Sequence, residues 1–160
     1  MDDTDTLDRR ILDFLQRNGR AGPLEIADAA DTVATTVQKR LKTMEESGVV
    51  RGYQPRVDYE PLGYPVTALL HLSLHGGAGR PFTARVSDDD RLVSVYDLAG
   101  GPFDVLLVGK YPDETAMDDH LAELVTDPAV KTGRANVVER AVTEYEPLGL
   151  DVEDAAAADE

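Results

Sequence analysis

The sequence predicts an α+β chain in two parts, an N-terminal winged helix-turn-helix followed by a ferredoxin-like βαββαβ sandwich domain. Three observations predict it. Residues 5–48 carry three successive apolar patterns of helical period, separated by glycine or a short polar turn. Two short strand-like pieces follow, around Gln54-Pro55. Beyond residue 65 the order becomes strand, helix, strand, strand, helix, strand, the split βαβ arrangement.

The first helix is expected over Asp5 to Asn18. Leu7, Ile11, Phe14 and Leu15 share a face, Asp5 stands at the cap position, and Gly19 stops the run. The second starts at Pro23, a residue suited to a first helical turn, with Glu25 placed to satisfy the cap backbone. Its apolar side is read as Leu24, Ile26, Ala27 and Ala30. After Asp31-Thr32-Val33 a third helix of about 14 residues ends at Gly48. Residues 49–53 and 56–59 are the expected wing strands, closing a DNA-binding domain over 1–60.

Pro61 to Pro65 reads as a linker. Strands are expected over Val66–His75, Leu92–Leu98, Phe103–Tyr111 and Asn136–Tyr145. A short helix spans Pro81–Val86, and a longer one follows Asp113 with Met117, Leu121, Leu124 and Val125. These make a domain over 66–150 for effector binding and oligomerisation. Residues 151–160 hold five acids and no aromatic, the composition of an unstructured tail. Tyr59-Glu60-Pro61-Leu62-Gly63 recurs at 145–149, too short for a structural repeat.

Composition narrows the function. Without cysteine there is no disulfide framework and no thiolate for zinc or catalysis. No apolar run approaches the roughly 20 residues that cross a bilayer, and the acidic N-terminus is unlike a secretory signal, so a cytoplasmic protein is expected. The net charge of −15 is uneven: residues 1–60 carry −3 and residues 61–160 carry −12. Aspartate outnumbers glutamate 20 to 11, and arginine outnumbers lysine 12 to 4. That bias resembles proteins of salt-loving organisms, where molar salt screens self-repulsion over about 3 Å. A plain acidic protein that never meets DNA is the competing reading.

The third helix carries the argument for nucleic acid. With Val37 at the centre of the buried stripe, Leu41 and Met44 fall beside it at 100° per residue. The opposite face then carries Thr35, Lys39, Lys42 and Thr43, flanked by Thr36 and Gln38, with no acid before Glu46. Hydroxyl, amide and ammonium groups suit base edges and phosphates. Two of the four lysines in the chain stand there, and Arg51 and Arg56 on the wing add cations for the DNA backbone. The same residues would also make an ordinary solvated face. Arg40 points sideways, towards a carboxylate of its own domain rather than a base.

These residues together resemble the leucine-responsive regulator/AsnC family of prokaryotic transcription factors. Asp8-Arg9-Arg10-Ile11-Leu12 is similar to its D-x-x-I-L opening, and Arg20 to Ala27 to its second-helix start. Arg40-Leu41-Lys42-Thr43-Met44-Glu45-Glu46-Ser47-Gly48-Val49-Val50 resembles the stretch running from recognition helix to wing. Gly52-Tyr53 and Leu62-Gly63-Tyr64 are similar to its linker strand. The resemblance covers about residues 5 to 146. With the acidic bias, the resemblance leads us to expect a halophilic archaeon as source.

The resemblance implies homodimers through the C-terminal domain, assembly up to octamers, promoter DNA as partner and a small-molecule effector, an amino acid among the candidates. It places the effector at the loop between the second and third strands, here Gly100, Gly101, Phe103 and Asp104. Glycine admits close approach and a carboxylate can face an ammonium group. The alternative is that the glycines only turn a hairpin and Asp104 caps it. Two positions depart from the family pattern. Val33 replaces the usual capping serine, and Gly133-Arg134-Ala135 replaces a T-x-T before the last strand, leaving Arg134 as a candidate anion contact.

A related branch with the same two-domain plan is siroheme decarboxylase, which relies on histidines and basic residues. This chain has His71 and His75, expected on one strand face, and His120, expected on an exposed helix flank. No triad, phosphate loop or metal spacing accompanies them, so no catalytic residue, metal or cofactor is assigned. A third class is an amino-acid-sensing assembly protein whose helix-turn-helix mediates protein contacts.

Overall fold

The computed structural model describes residues 5–150. The acidic stretch 151–160, expected as a tail, lies outside the described residues. The described residues divide into two compact units, 5–56 with 143–150, and Val57–Val142.

In the first unit, α1 (Thr6–Arg17), α2 (Pro23–Ala29) and α3 (Ala34–Glu46) pack around Ile11, Ile26 and Val37, all fully buried, with Ala27, Ala30 and Met44. The local chemistry sets the boundaries. The Asp8 amide donates to Asp5 Oδ1 at 2.9 Å, and the Gly22 amide donates to Glu25 Oε2 at 2.9 Å. At the start of α3, Val33 has no side-chain acceptor, so only its backbone caps the helix. Gly48, at φ +76°, lets the chain turn out of α3, and the Val50 amide returns to the Met44 carbonyl.

Two expectations fail here. Leu24 is 75% exposed, because the seven-residue α2 buries Ile26, Ala27 and Ala30 on the other side. Residues 49–59 form no strand pair. Pro55 has no amide to donate, and a lone two-stranded ribbon is marginal without a third strand or a covering helix. Tyr53 instead donates its hydroxyl to Glu45 Oε1 at 2.8 Å.

The second unit is a four-stranded antiparallel sheet in the order β2-β3-β1-β4, built from β1 (Val66–Leu74), β2 (Leu92–Asp97), β3 (Val105–Tyr111) and β4 (Val130–Val137). Helices α4 (Gly79–Val86) and α5 (Glu114–Val125) cover one face. Alternation in β1 sends Ala68, Leu70, Leu72 and Leu74 to Phe82, Met117 and Leu124. Thr67, Leu69, His71 and Ser73 take the other face, half-buried, beside Leu106 and Val108 of β3.

The last strand lies earlier than expected, at 130–137 rather than 136–145. It pairs with β1 from Leu74↔Val130 to Ala68↔Val137, and the Val138 amide closes onto the Thr67 carbonyl. β1 then runs out of partners, so residues beyond 138 have no ladder to join. β1 also stops at Leu74, which leaves exposed His75 outside the strand and off the face of His71. The two Tyr-Glu-Pro-Leu-Gly copies differ in structure. The first makes a 3-10 turn over Glu60–Leu62 with Gly63 at φ +90°, whereas residues 145–149 make no helix.

Candidate DNA-reading face and sensor site

Helix α3 presents the expected face. Val37 and Met44 are buried and Leu41 half-buried, while Thr35, Gln38, Lys39, Lys42 and Thr43 are exposed and Thr36 half-buried. Thr43 donates its hydroxyl to the Lys39 carbonyl at 3.1 Å. Lys42 Nζ stands 3.8 Å from Glu46 Oε1, an exposed pair of little strength, and the Lys39 ammonium group has no partner among the described residues. Arg40 turns away from this face, its Nη1 2.7 Å from Asp5 Oδ2 and 3.3 Å from Asp8 Oδ2. The Asp8 amide, aided by Arg40, holds the Asp5 carboxyl below its ordinary range. Arg51 is exposed and unpaired among the described residues. Arg56 is engaged, donating to the Tyr145 carbonyl and lying 3.8 Å from Glu146 Oε1.

In the second unit, Gly100 and Gly101 turn the hairpin between β2 and β3 at φ +84° and +87°, where a side chain would be strained. Asp104 pins that hairpin to β1. Its amide donates to the Leu72 carbonyl at 2.9 Å, and its Oδ2 accepts from the Leu74 amide at 2.7 Å. One carboxylate oxygen is therefore committed to the fold. Phe103 lies beside it, with the Arg134 guanidinium 4.9 Å over its ring and the His71 ring 5.2 Å away. His71 and Arg134 are Cα partners across β1 and β4. The structure thus gathers Phe103 and Arg134 with His71, which the sequence reading had left outside the site; its place on the period-2 face opposite the core leucines was the available signal.

Gly133 and Ala135 do not face this cluster. A Cβ on Gly133 would meet Leu72 Cδ2 and Val125 Cγ1 at 2.8 Å, on the helix-covered side. The T-x-T departure therefore changes core packing beneath the sheet rather than the surface that carries Arg134.

A second polar group was missed because His120 was expected to be exposed. It is 1% exposed. Met117, His120 and Leu124 share the buried side of α5, and Tyr111 Oη lies 2.8 Å from His120 Nδ1, which satisfies one ring nitrogen inside the core. Nε2 stands 3.3 Å from Asp89 Oδ2 without the alignment of a hydrogen bond. Asp89 is gripped in turn by Arg91 at 2.6 Å, and Arg91 reaches Glu123 at 2.9 Å. Burial, then the charge of Arg91, pushes the His120 pKa down, while the Arg91 hydrogen bonds hold Asp89 below its ordinary value. Burial raises Tyr111 to about 12. Neutral imidazole is the form this pocket favours.

Comparison with known proteins agrees with the fold. Residues 4–51 match the family model of winged helix-turn-helix DNA-binding domains. An uncharacterised helix-turn-helix transcriptional regulator of Pyrococcus abyssi is 29% identical over 140 residues, spanning 88% of this chain and 95% of the relative. The leucine-responsive regulatory protein of Klebsiella pneumoniae is 30% identical over 139 residues, 85% of each chain. Among solved structures, a transcriptional regulator of Neisseria meningitidis in complex with L-methionine superposes with a TM-score of 0.82 at 25% identity, covering 92% of this chain and 97% of that one. The chain belongs to the leucine-responsive regulator/AsnC family of DNA-binding transcription regulators.

Proposed function

We propose that this regulator reads promoter DNA with the outward face of α3. Thr35, Thr36, Gln38, Lys39, Lys42 and Thr43 would face the major groove, and Arg51 and Arg56 the adjoining phosphates. The observation that carries this reading is a row of hydroxyl, amide and ammonium groups, exposed except for half-buried Thr36, on a strongly acidic chain. Replacing Lys39 and Lys42 by glutamate tests it. Fluorescence anisotropy on a bound promoter fragment should show loss of binding with an unchanged melting temperature. An assembly protein that uses its helix-turn-helix for protein contacts would keep its self-association and never bind the fragment.

The reading extends to a small-molecule effector at the β2–β3 hairpin. The methionine complex of the Neisseria relative supports an amino-acid-sized ligand. Here Arg134 would take its carboxylate, Phe103 and His71 its side chain, and the remaining Asp104 oxygen its ammonium group, with Gly100 and Gly101 admitting close approach. Ligand-dependent thermal shifts lost in Arg134→Ala test that assignment. The sheet face bearing Leu69, Leu106 and Val108, which neither α4 nor α5 covers, suits a homodimer interface, with octamers as the higher assembly. The same reading makes the protein a cytoplasmic regulator without enzymatic activity, adapted to a salt-rich cell. Among the described residues no helix is long and apolar enough to cross a membrane.

A further inference from the structure

A groove of about 760 Å³ runs between the last turns of α1 and residues 49–56. Arg17, Arg20, Arg51 and Arg56 line it, and no carboxylate does; its apolar surface includes Leu12 and Leu15. Four of the chain's twelve arginines thus converge on one groove in a protein of charge −15. Arg17 pairs with Asp13 at 3.1 Å. The guanidinium groups of Arg20 and Arg51 have no partner among the described residues. Unpaired cations beside apolar surface call for an occupant that is both acidic and partly apolar.

The C-terminal segment already reaches the groove. Gln16, on its wall, clamps Leu148 from both sides. The Leu148 amide donates to Gln16 Oε1 at 3.1 Å, and Gln16 Nε2 donates to the Leu148 carbonyl at 3.5 Å. Two residues earlier, Glu146 sits 3.8 Å from Arg56. The chain goes on as Leu150-Asp151-Val152-Glu153-Asp154, two apolar and three acidic side chains, with no basic residue after Arg140. Four further residues reach about 13 Å when extended, enough to carry carboxylates along a groove of this size.

We propose that the acidic segment 143–154 is an intramolecular occupant of this arginine groove and competes with DNA phosphates for Arg51 and Arg56. The inference rests on reading those two arginines as phosphate contacts. Tethering places the carboxylates at millimolar effective concentration, so modest pairwise attractions suffice. DNA, with its higher charge density, displaces the segment at a cost. Salt weakens DNA binding by counterion release, but it also loosens the tethered competitor, so the two losses partly cancel.

The test compares promoter-fragment binding by the full chain, the chain ended after Thr143 and the Gln16→Ala variant, from 0.1 to 1 M KCl. A labelled peptide of residues 143–160, and its scrambled version, are titrated in parallel against the shortened chain without DNA. Truncation should tighten DNA binding about tenfold at low salt and steepen its salt dependence, and Gln16→Ala should move it the same way by less. The native peptide should bind more tightly than the scrambled one and lose binding in Arg20→Glu/Arg51→Glu. Equal DNA affinities and salt slopes in all three proteins would overturn the proposal. So would a gain on truncation with equal binding of both peptides, because general acidic repulsion explains that. Should the truncated protein fail to fold, Gln16→Ala in the full chain, indistinguishable from the parent, overturns it alone. Specific peptide binding with no DNA binding by any protein leaves the groove occupied as proposed and removes the phosphate reading instead.

Discussion

Arg40 of α3 and Asp8 of α1 form an ion pair at 3.3 Å that joins the third helix to the first within its unit. Asp8 is 7% exposed, and its second oxygen, Oδ1, has no hydrogen-bond partner. Arg40 is therefore the cation that makes this near-buried carboxylate tolerable, helped by its shorter contact to Asp5. An arginine in the middle of α3 thus serves the fold, while its neighbours Lys39 and Lys42 stay exposed.

Removing one partner of such a pair costs more than removing both. Arg40→Ala should lower the melting temperature and weaken DNA binding through the fold. Adding Asp8→Asn to it should recover part of the stability. Lys39→Ala should leave the melting temperature unchanged. Thermal denaturation of the parent, Arg40→Ala, Asp8→Asn, their double variant and Lys39→Ala checks this, and an additive double variant would contradict it.

Gly133 makes a second prediction. Restoring a threonine there puts atoms where Leu72 and Val125 already stand. The expected cost is about 1–3 kcal/mol of overpacking, read as a lower urea midpoint. Threonine at 135 meets a partly buried alanine position and should cost less. A Gly133→Thr variant as stable as the parent would mean that α5 shifts freely off the sheet.

Acid sensitivity follows from the His120 pocket. The unfolded histidine titrates near 6.5 and the folded one lower. As pH falls through 6.5 the unfolded state gains a proton that the folded state refuses, so stability declines until the folded pKa is reached. Asp89 acts in the same direction further down: its contribution is complete above its ordinary 3.8 and lost as pH falls through its lower folded value. His120→Gln should flatten the urea midpoint between pH 7 and 5 while keeping the steeper loss below 4. An unaltered slope between 7 and 5 would assign that loss to other groups.

Salt should act weakly on DNA binding by the whole chain. Molar salt screens the repulsion between its acidic surface and the duplex, which opposes counterion release. The expected plot of log affinity against log KCl is shallow, and a fall of several orders of magnitude between 0.1 and 1 M would be inconsistent with it.

Much of the fold was legible because it rests on local chemistry. The caps at Asp5, Gly22 and Asp113, the stop at Gly48 and the alternating leucines of β1 each announce themselves in a few residues. The failures were tertiary. Strand β4 carries lysine, threonine and glycine, and is visible only through the register of β1. His120 looks like a surface residue until Tyr111 is folded beneath it. Arg134 and Phe103 could be nominated from sequence, but their convergence with His71 depends on pairing between strands 60 residues apart. The groove arginines gave no signal, since Arg17 and Arg20 meet Arg51 and Arg56 only in the folded unit.

The central claim is that α3 enters a major groove. Dimethyl sulfate protection of guanine N7, an atom exposed only there, tests it most directly. The account predicts two protected patches about one helical turn apart on a bound promoter, both lost with Lys39→Glu/Lys42→Glu. Promoter binding that leaves every guanine N7 reactive, or protection that survives the charge reversal, would contradict it.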